Sequence, residues 1–487
     1  MRSGLIRAIA LTMTPVIAAN PSVVRDLPSQ ADPVVEKAFD DALVRSYEEL
    51  FRSAATFDFT HSQIEARHKL EENNKDNCER KFKDLAKQLG TEIKDVEKDL
   101  EKRSRSLTDS QRRDIHCSLL ELRARQRQAD NFYRTVVPHA YDNRIAKLTL
   151  IEEWPEEDRR IEEEIQSERY MNRRWSNVKD IGFRGVGDGQ EKDVKTGSEA
   201  IEEMRRNGML PPEMKDEEII AYVDGVTKNI ASRSDLRIPV KLTLLESPEI
   251  NAFALPGGFL FINRGLLEAA ETEAQLAGVI AHEISHAAAR HGHRLMRRAT
   301  IASIFYQVAQ VVALIFTGGA VGIGTYYALQ YGFYGLGLVL SLELLGVSRD
   351  YELEADQLGV QYAWNAGYDP AGFIRFFDRM ATREGYISGA SWFRTHPPFY
   401  QRMVDSEREM RFLPPREQLL VQTTAFEAMH RPLLEMPKGR EFTEPGKPAP
   451  SLEAPGLDCP KPKLEYTNDD PLEKLCALPG GAGASPR

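Results

Sequence analysis

Apolar residues change their period along this chain, and each change marks a different kind of element. Between about residues 33 and 180 the sequence is rich in charge. Within it Phe82, Leu85, Leu89, Ile93, Val96 and Leu100 recur at three- and four-residue spacing among Lys, Glu and Asp. That period predicts an amphipathic helix. The run is too short for a long coiled coil, so an antiparallel helical hairpin with a solvated charged face is expected. Trp154-Pro155 reads as a break, and Gly182 to Gly197 as a linker. From about Ser198 the texture changes. Glu217 to Ser232 has helical spacing, and Pro239 to Leu245 alternates as a strand does. Asn251 to Ile262 reads as two short strands around a Pro-Gly-Gly turn, leading into a helix at Gly265. Helical patterning continues beyond Leu358, with Gly367-Tyr368-Asp369-Pro370 as a turn before the next helix. It fades after about Arg416, and the Pro/Gly-rich stretch 416–487 is expected to be largely disordered.

One stretch stands apart. Ala299 to Leu342 carries no charged residue, which is long enough to cross a bilayer, even as a hairpin. Glycines, tyrosines, Gln307, Gln310 and Gln330 interrupt it, which favours a buried or surface-seeking helical pair over a full span and leaves membrane-surface contact open.

The whole chain has 487 residues, 41% of them hydrophobic and 28% charged, with a net charge of −10. This composition suits a soluble or peripheral protein with two or three structural regions, and the acidic balance argues against nucleic acid as a partner. Arg2 and Arg7 precede a short apolar run ending near Ala19, which resembles a secretory leader over residues 1–20; an arginine-bearing organelle-targeting peptide is the competing reading. The four cysteines, Cys78, Cys117, Cys459 and Cys476, form no CxxC pair, so a cysteine metal site is not indicated. Cys459 with Cys476, or Cys78 with Cys117, would suit disulfides in an oxidising compartment; free thiols are the alternative.

The chemistry concentrates in Ala274 to His286. His282 and His286 lie four residues apart on a helix, so both rings reach one ion, with Glu283 one step round. This HExxH spacing places two neutral imidazoles on Zn²⁺ and a carboxylate as general base. Thr272 and Gln275 read as a capping box, Leu276, Val279, Ile280 and Ile284 as a buried stripe, and Gly292 as the stop. The metzincin third ligand is excluded, because Ala289 and Gly292 stand where that pattern needs Gly and His. His291 and His293 miss the register and read as helix-end histidines favoured by the helix dipole. The other solution is a glutamate on a downstream helix, and Glu352 would be that ligand; a solvated acidic helix face is the alternative. Asp356, one turn later, can accept the spare N–H of a ligand histidine. His396, held before a double proline, and Arg402 are candidate donors to an oxyanion.

Four ordered stretches carry a resemblance: Asn251-Ala-Phe-Ala-Leu-Pro-Gly-Gly258, His282-Glu-Ile-Ser-His286, Glu352-Leu-Glu-Ala-Asp356, and His396-Pro-Pro with Arg402. Together, over roughly residues 199–410, they resemble the gluzincin zinc metallopeptidases that include the CAAX prenyl protease, the bacterial heat-shock membrane protease and periplasmic outer-membrane quality-control proteases. The resemblance implies an α+β, mostly helical, zincin-like fold over 199–415, a small sheet against the HExxH and glutamate helices, behind a helical region at 21–181 and a linker at 182–198. It implies one Zn²⁺ per chain on His282, His286 and Glu352, Glu283 as base, Asp356 behind the ligands, and His396 near metal or substrate. Asn251, Ala252 and Phe253 would line the substrate edge. The expected activity is hydrolysis of protein or peptide substrates in the periplasm or cell envelope. A gated protease acting mainly as a chaperone scaffold, and a membrane-embedded protease, are the alternatives. The spacing between the metal helices resembles the soluble periplasmic branch. The chain lacks that branch's C-terminal helical repeats and has a charged N-terminal region without a counterpart, so substrate choice does not carry over.

Overall fold

The computed structural model describes residues 32–103, 106–167, 189–206, 210–248, 250–296, 349–380, 400–436, 459–460, 462–466 and 471–477. The leader at 1–20, the uncharged stretch 299–342 and His396 lie outside the described residues.

The chain divides into a short unit up to Val44 and a large one from Arg45. In the first, α1 (Pro33–Leu43) starts at Asp32, whose carboxylate accepts from Val34 N. This is the usual way an N-cap satisfies an unpaired helix donor. The second opens with α2 (Tyr47–Ser53), whose start is a full capping box between Ser46 and Glu49.

Two long helices follow, α3 (His61–Arg103) and α4 (Asp109–Asn131). The expected seam forms: Leu89 and Ile93 bury against Leu119 and Leu122, flanked by Leu85, Val96, Leu100 and Ile115. The hairpin is antiparallel, since the Gln126 amide donates to Ala86 O while Arg123 pairs with Glu97. A π-helical turn at Phe132–Val136 leads into α5 (Val137–Gln166).

The structure corrects several expectations here. Pro155 does not break the chain; it lies inside α5. Its neighbour Trp154 is pinned, with Nε1 donating to Phe51 O at 3.0 Å and the indole edge-on to Phe51. The disulfides are Cys78–Cys476 and Cys117–Cys459. Cys78 cannot reach Cys117, because the antiparallel register leaves them roughly 25–30 Å apart along the hairpin at 1.5 Å per residue. The C-terminal segment is therefore ordered where it crosses the arm. Leu475 on α15 (Leu472–Cys476) is buried with Phe82, Phe132 and Tyr141, and Tyr466 packs on the same cluster.

The expected linker is also partly helical. Gln190–Arg206 forms α6, and Ile201 and Met204 bury against Phe253, Phe261 and Leu245 of the sheet. Gly197 is there for contact: a Cβ would sit 1.9 Å from Pro256 O. The sheet has strands β1 (Lys241–Leu245), β2 (Ala252–Leu255) and β3 (Phe259–Asn263) in the order β1-β3-β2. β1 runs parallel to β3, and β2 antiparallel to it. Gly257 and Gly258 turn the hairpin at φ +89° and +78°, a region open to glycine at little cost. β3 runs into α8 (Arg264–Ala269).

The remaining helices pack on the sheet or on one another. They are α7 (Glu217–Ala231), α9 (Glu273–Ala288), α10 (His291–Met296), α11 (Arg349–Asn365), α12 (Ala371–Arg379), α13 (Tyr400–Phe412) and α14 (Thr424–Glu435). Together with the sheet they make the fold α+β and mostly helical. α14 lies within the stretch expected to be disordered. Thr423 caps it by accepting from Phe426 N, and buried Arg264 donates to the carbonyls of Leu433 and Met436 at its far end.

Candidate metal centre

Helix α9 carries the motif, and the start of the helix is satisfied from two directions. Thr272 Oγ1 accepts from Gln275 N, and Gln275 Oε1 accepts from Glu271 N. The chain after α13 supplies the other caps: Val421 O takes Ala274 N and Gln422 Oε1 takes Glu273 N. The Glu273 carboxylate, buried in the same turn, receives hydrogen bonds from Tyr368 and Thr423. Burial first, and then this carboxylate, push the Tyr368 phenol up to about 12.

At its other end α9 stops at Ala289, earlier than the expected Gly292, which belongs to α10. Arg290 takes the left-handed conformation at φ 58°, a place usually given to glycine. Asp193 on α6 holds its guanidinium from two sides, at 2.6 and 2.7 Å.

Two close crossings fix the helix laterally. A Cβ on Gly278 would meet Phe373 backbone atoms at 2.9 Å, and one on Gly359 would lie 3.1 Å from His282 N and Cα. The second crossing brings α11 against α9 and sets its acidic face over the two histidines.

There the donor atoms converge. His282 Nε2 and His286 Nε2 are 3.0 Å apart. Glu352 Oε2 lies 3.6 Å from the first and its Oε1 3.5 Å from the second. All three residues can offer one atom within 4.8 Å of the others'. This set suits a metal ion by its chemistry: imidazole nitrogens and a carboxylate, all lone-pair donors, face one point and satisfy each other poorly. His282 Nδ1 lies 2.9 Å from Asp356 Oδ1, close enough for the carboxylate to favour one tautomer of the ring. The His282 ring also stacks on Phe373. Glu283 is buried beside His282, at 1% exposure.

Arg402 sits among the carboxylates of the site. It is fully buried, with Nε and Nη2 on Asp356 at 2.5 and 2.6 Å and Nη1 3.3 Å from Glu352. Burial pulls it down, but Asp356, Glu352 and Glu283 hold it above its ordinary value. A guanidinium so engaged braces the carboxylates.

His291 stands at a helix end, the start of α10, and is buried there. It is 2% exposed and its Nδ1 lies 2.9 Å from His286 Nδ1. Sequence spacing set it outside the ligand register but gave no signal that it touches His286. His293 instead faces Asp193 at 2.8 Å.

Ala252 and Phe253 are buried on β2, an outer strand of the sheet, and Asn251 is buried just before it. Among the described residues Asn251 Oδ1 has no hydrogen-bond partner.

Residues 215–409 match the model of peptidase family M48. This chain carries a peptidase family M48 domain. The match spans α7 to α13 and contains each converging donor. A Vibrio cholerae relative described as a beta-barrel assembly-enhancing protease is 31% identical over 226 residues, 45% of this chain and 44% of the relative. The beta-barrel assembly-enhancing protease of Escherichia coli K12 is 25% identical over 223 residues, 44% of this chain and 43% of its own. The mitochondrial metalloendopeptidase OMA1 of Schizosaccharomyces pombe is 31% identical over 185 residues, 37% and 50% respectively. The chain thus spans half or less of the length of these curated relatives. The arm formed by α3, α4 and α5 lies outside the M48 match.

Proposed function

We propose that the M48 domain is a zinc metalloendopeptidase, with His282, His286 and Glu352 as ligands and Glu283 as general base. The observation that carries this reading is the convergence of the three donor side chains on one point beside a buried glutamate. Zinc, when bound, supplies Lewis acidity and lowers the pKa of water toward neutrality. Glu283 takes a proton from the attacking water and returns it to the leaving amine. Asp356 holds His282 in the tautomer that leaves Nε2 free to bind, and Arg402 balances the charge of Asp356 and Glu352. His396 is proposed as a further donor near the reacting carbonyl.

The substrate edge is proposed at β2. Asn251 O already accepts from Asn263 N. The alternation of an antiparallel ladder therefore turns the backbone groups of Ala252 and Ala254 outward. An extended peptide can add there as a further strand, with Asn251 Oδ1 as an additional acceptor. Envelope or misfolded proteins are the proposed substrates, and the periplasm or envelope the proposed compartment. Two disulfides joining distant parts of the chain support an oxidising location.

The test is casein cleavage with bound zinc quantified, beside Glu283→Gln. Near-stoichiometric zinc in both proteins is expected, with turnover falling at least about 100-fold in the variant, the low end for loss of a general base. Zinc without cleavage in the unmutated protein would favour the gated scaffold, and absence of zinc would refute the reading.

A further inference from the structure

The two ligand histidines are supported differently. His282 meets a carboxylate directly, Asp356 at 2.9 Å. His286 meets another histidine, and that histidine meets a carboxylate: His291 Nε2 lies 3.4 Å from Glu354 Oε2. We infer that His291 is a positioning residue for the metal centre, relaying Glu354 to His286 and fixing the tautomer of that ligand. The inference rests on the proposed metal-binding role of His282, His286 and Glu352.

The polarity of the chain of contacts allows one arrangement. If His286 binds through Nε2, the atom facing Glu352 and His282, its proton must sit on Nδ1. That N–H points at His291 Nδ1, 2.9 Å away, which must then be the acceptor. The proton of His291 is left on Nε2, where Glu354 Oε2 accepts it. Each N–H has an acceptor and no two protons collide. The His291 ring is fixed for this task by stacking on Tyr351, with centroids 4.5 Å apart and planes inclined by 11°. Both supporting carboxylates come from α11, as does Glu352, so one helix supplies the third donor and the partners of the two histidines. Partners of this kind typically contribute 10–100-fold to metal affinity.

The experiment measures Zn²⁺ affinity by chelator competition and records the visible spectrum of the Co²⁺-substituted protein. It compares the unmutated chain with His291→Phe, His291→Asn and Glu354→Ala. Phe keeps the stacking on Tyr351 and removes the acceptor, whereas Asn places an oxygen near the position of Nδ1. We expect about 10–100-fold weaker zinc binding and a shifted Co²⁺ spectrum in His291→Phe. Most of both should return in His291→Asn, and Glu354→Ala should lose several-fold. The metal-free unfolding midpoints of His291→Asn and the unmutated protein should coincide. Unchanged affinity and spectrum in His291→Phe would overturn the assignment while leaving the metal site intact. Equal losses in His291→Phe and His291→Asn would also overturn it, since packing alone would then explain the effect. If His291→Phe fails to fold, unchanged affinity in Glu354→Ala is the overturning result. Absence of zinc from the unmutated protein would instead remove the proposed function, and this inference with it.

Discussion

Helices α9 and α3 show two ways of holding the same secondary structure. In α9 nearly every side chain from Glu273 to Ser285 is buried, and glycine contacts hold it against α11 and α12. In α3, across 43 residues, burial is confined to Ile64, Arg67, Glu71, Cys78, Phe82, Leu89 and Ile93. The first helix is fixed by close packing on all sides, where an added methyl group is felt. The second has a narrow seam, one buried ion pair between Arg67 and Glu71, exposed pairs that contribute little, and a disulfide at Cys78. Geometry at the site therefore depends on packing, and that of the arm on cross-links.

The largest expected effect separates the two. Arg402→Leu leaves Asp356 and Glu352 without their buried counter-charge, a change worth about 3–5 kcal/mol. Zinc affinity and the thermal midpoint should both collapse, and survival of either would show that the bracing is dispensable. On the arm, Cys78→Ser, which breaks one of the two disulfides, should cost about 2–4 kcal/mol of local stability. Hydrogen exchange should rise across α3, α4 and α15, while zinc affinity stays as it was. A fall in zinc affinity would mean that the two regions are coupled after all.

The smallest effect lies where α13 meets α5. Burial pushes the Glu407 carboxyl up to about 7, with Arg411 opposing and Glu48 and Asp158 adding. Burial also holds Glu409 well above its usual range, against the hydrogen bond from Gln361. A carboxyl raised on folding favours the folded state below its unfolded value near 4.5, and this contribution is lost as pH rises through about 7. For Glu407 the contribution is no more than about 3 kcal/mol. Urea midpoints should fall between pH 5 and pH 8, and Glu407→Gln should shrink the slope while leaving the share of Glu409. A flat profile in the unmutated chain would contradict this.

Much of the site was readable because its signals are local. The four-residue spacing of His282 and His286, the Thr272 cap and the turn between Glu352 and Asp356 follow from helix geometry alone. The β2–β3 hairpin was legible from Pro256-Gly257-Gly258 for the same reason. What sequence left hidden depends on tertiary contacts. Gly197 looked like linker flexibility, yet it is the close approach of α6 to Pro256. Gly292 looked like a helix stop, but Asp193 lets Arg290 turn the chain earlier. The cysteine pairing follows from the hairpin register and from the far end of the chain. Arg402 and His291 gave no hint of their neighbours, because the residues they brace arrive from other helices.

The disulfides also impose an order of events on synthesis. Their partners are 398 and 342 residues apart in sequence. At about 5–20 residues per second, Cys78 emerges some 20–80 s before Cys476 exists. During that interval Cys117 is the available partner, and pairing with it would be an error that later exchange must undo. Early formation of the α3–α4 hairpin prevents the error by distance alone, holding both thiols in reserve until the last segment arrives.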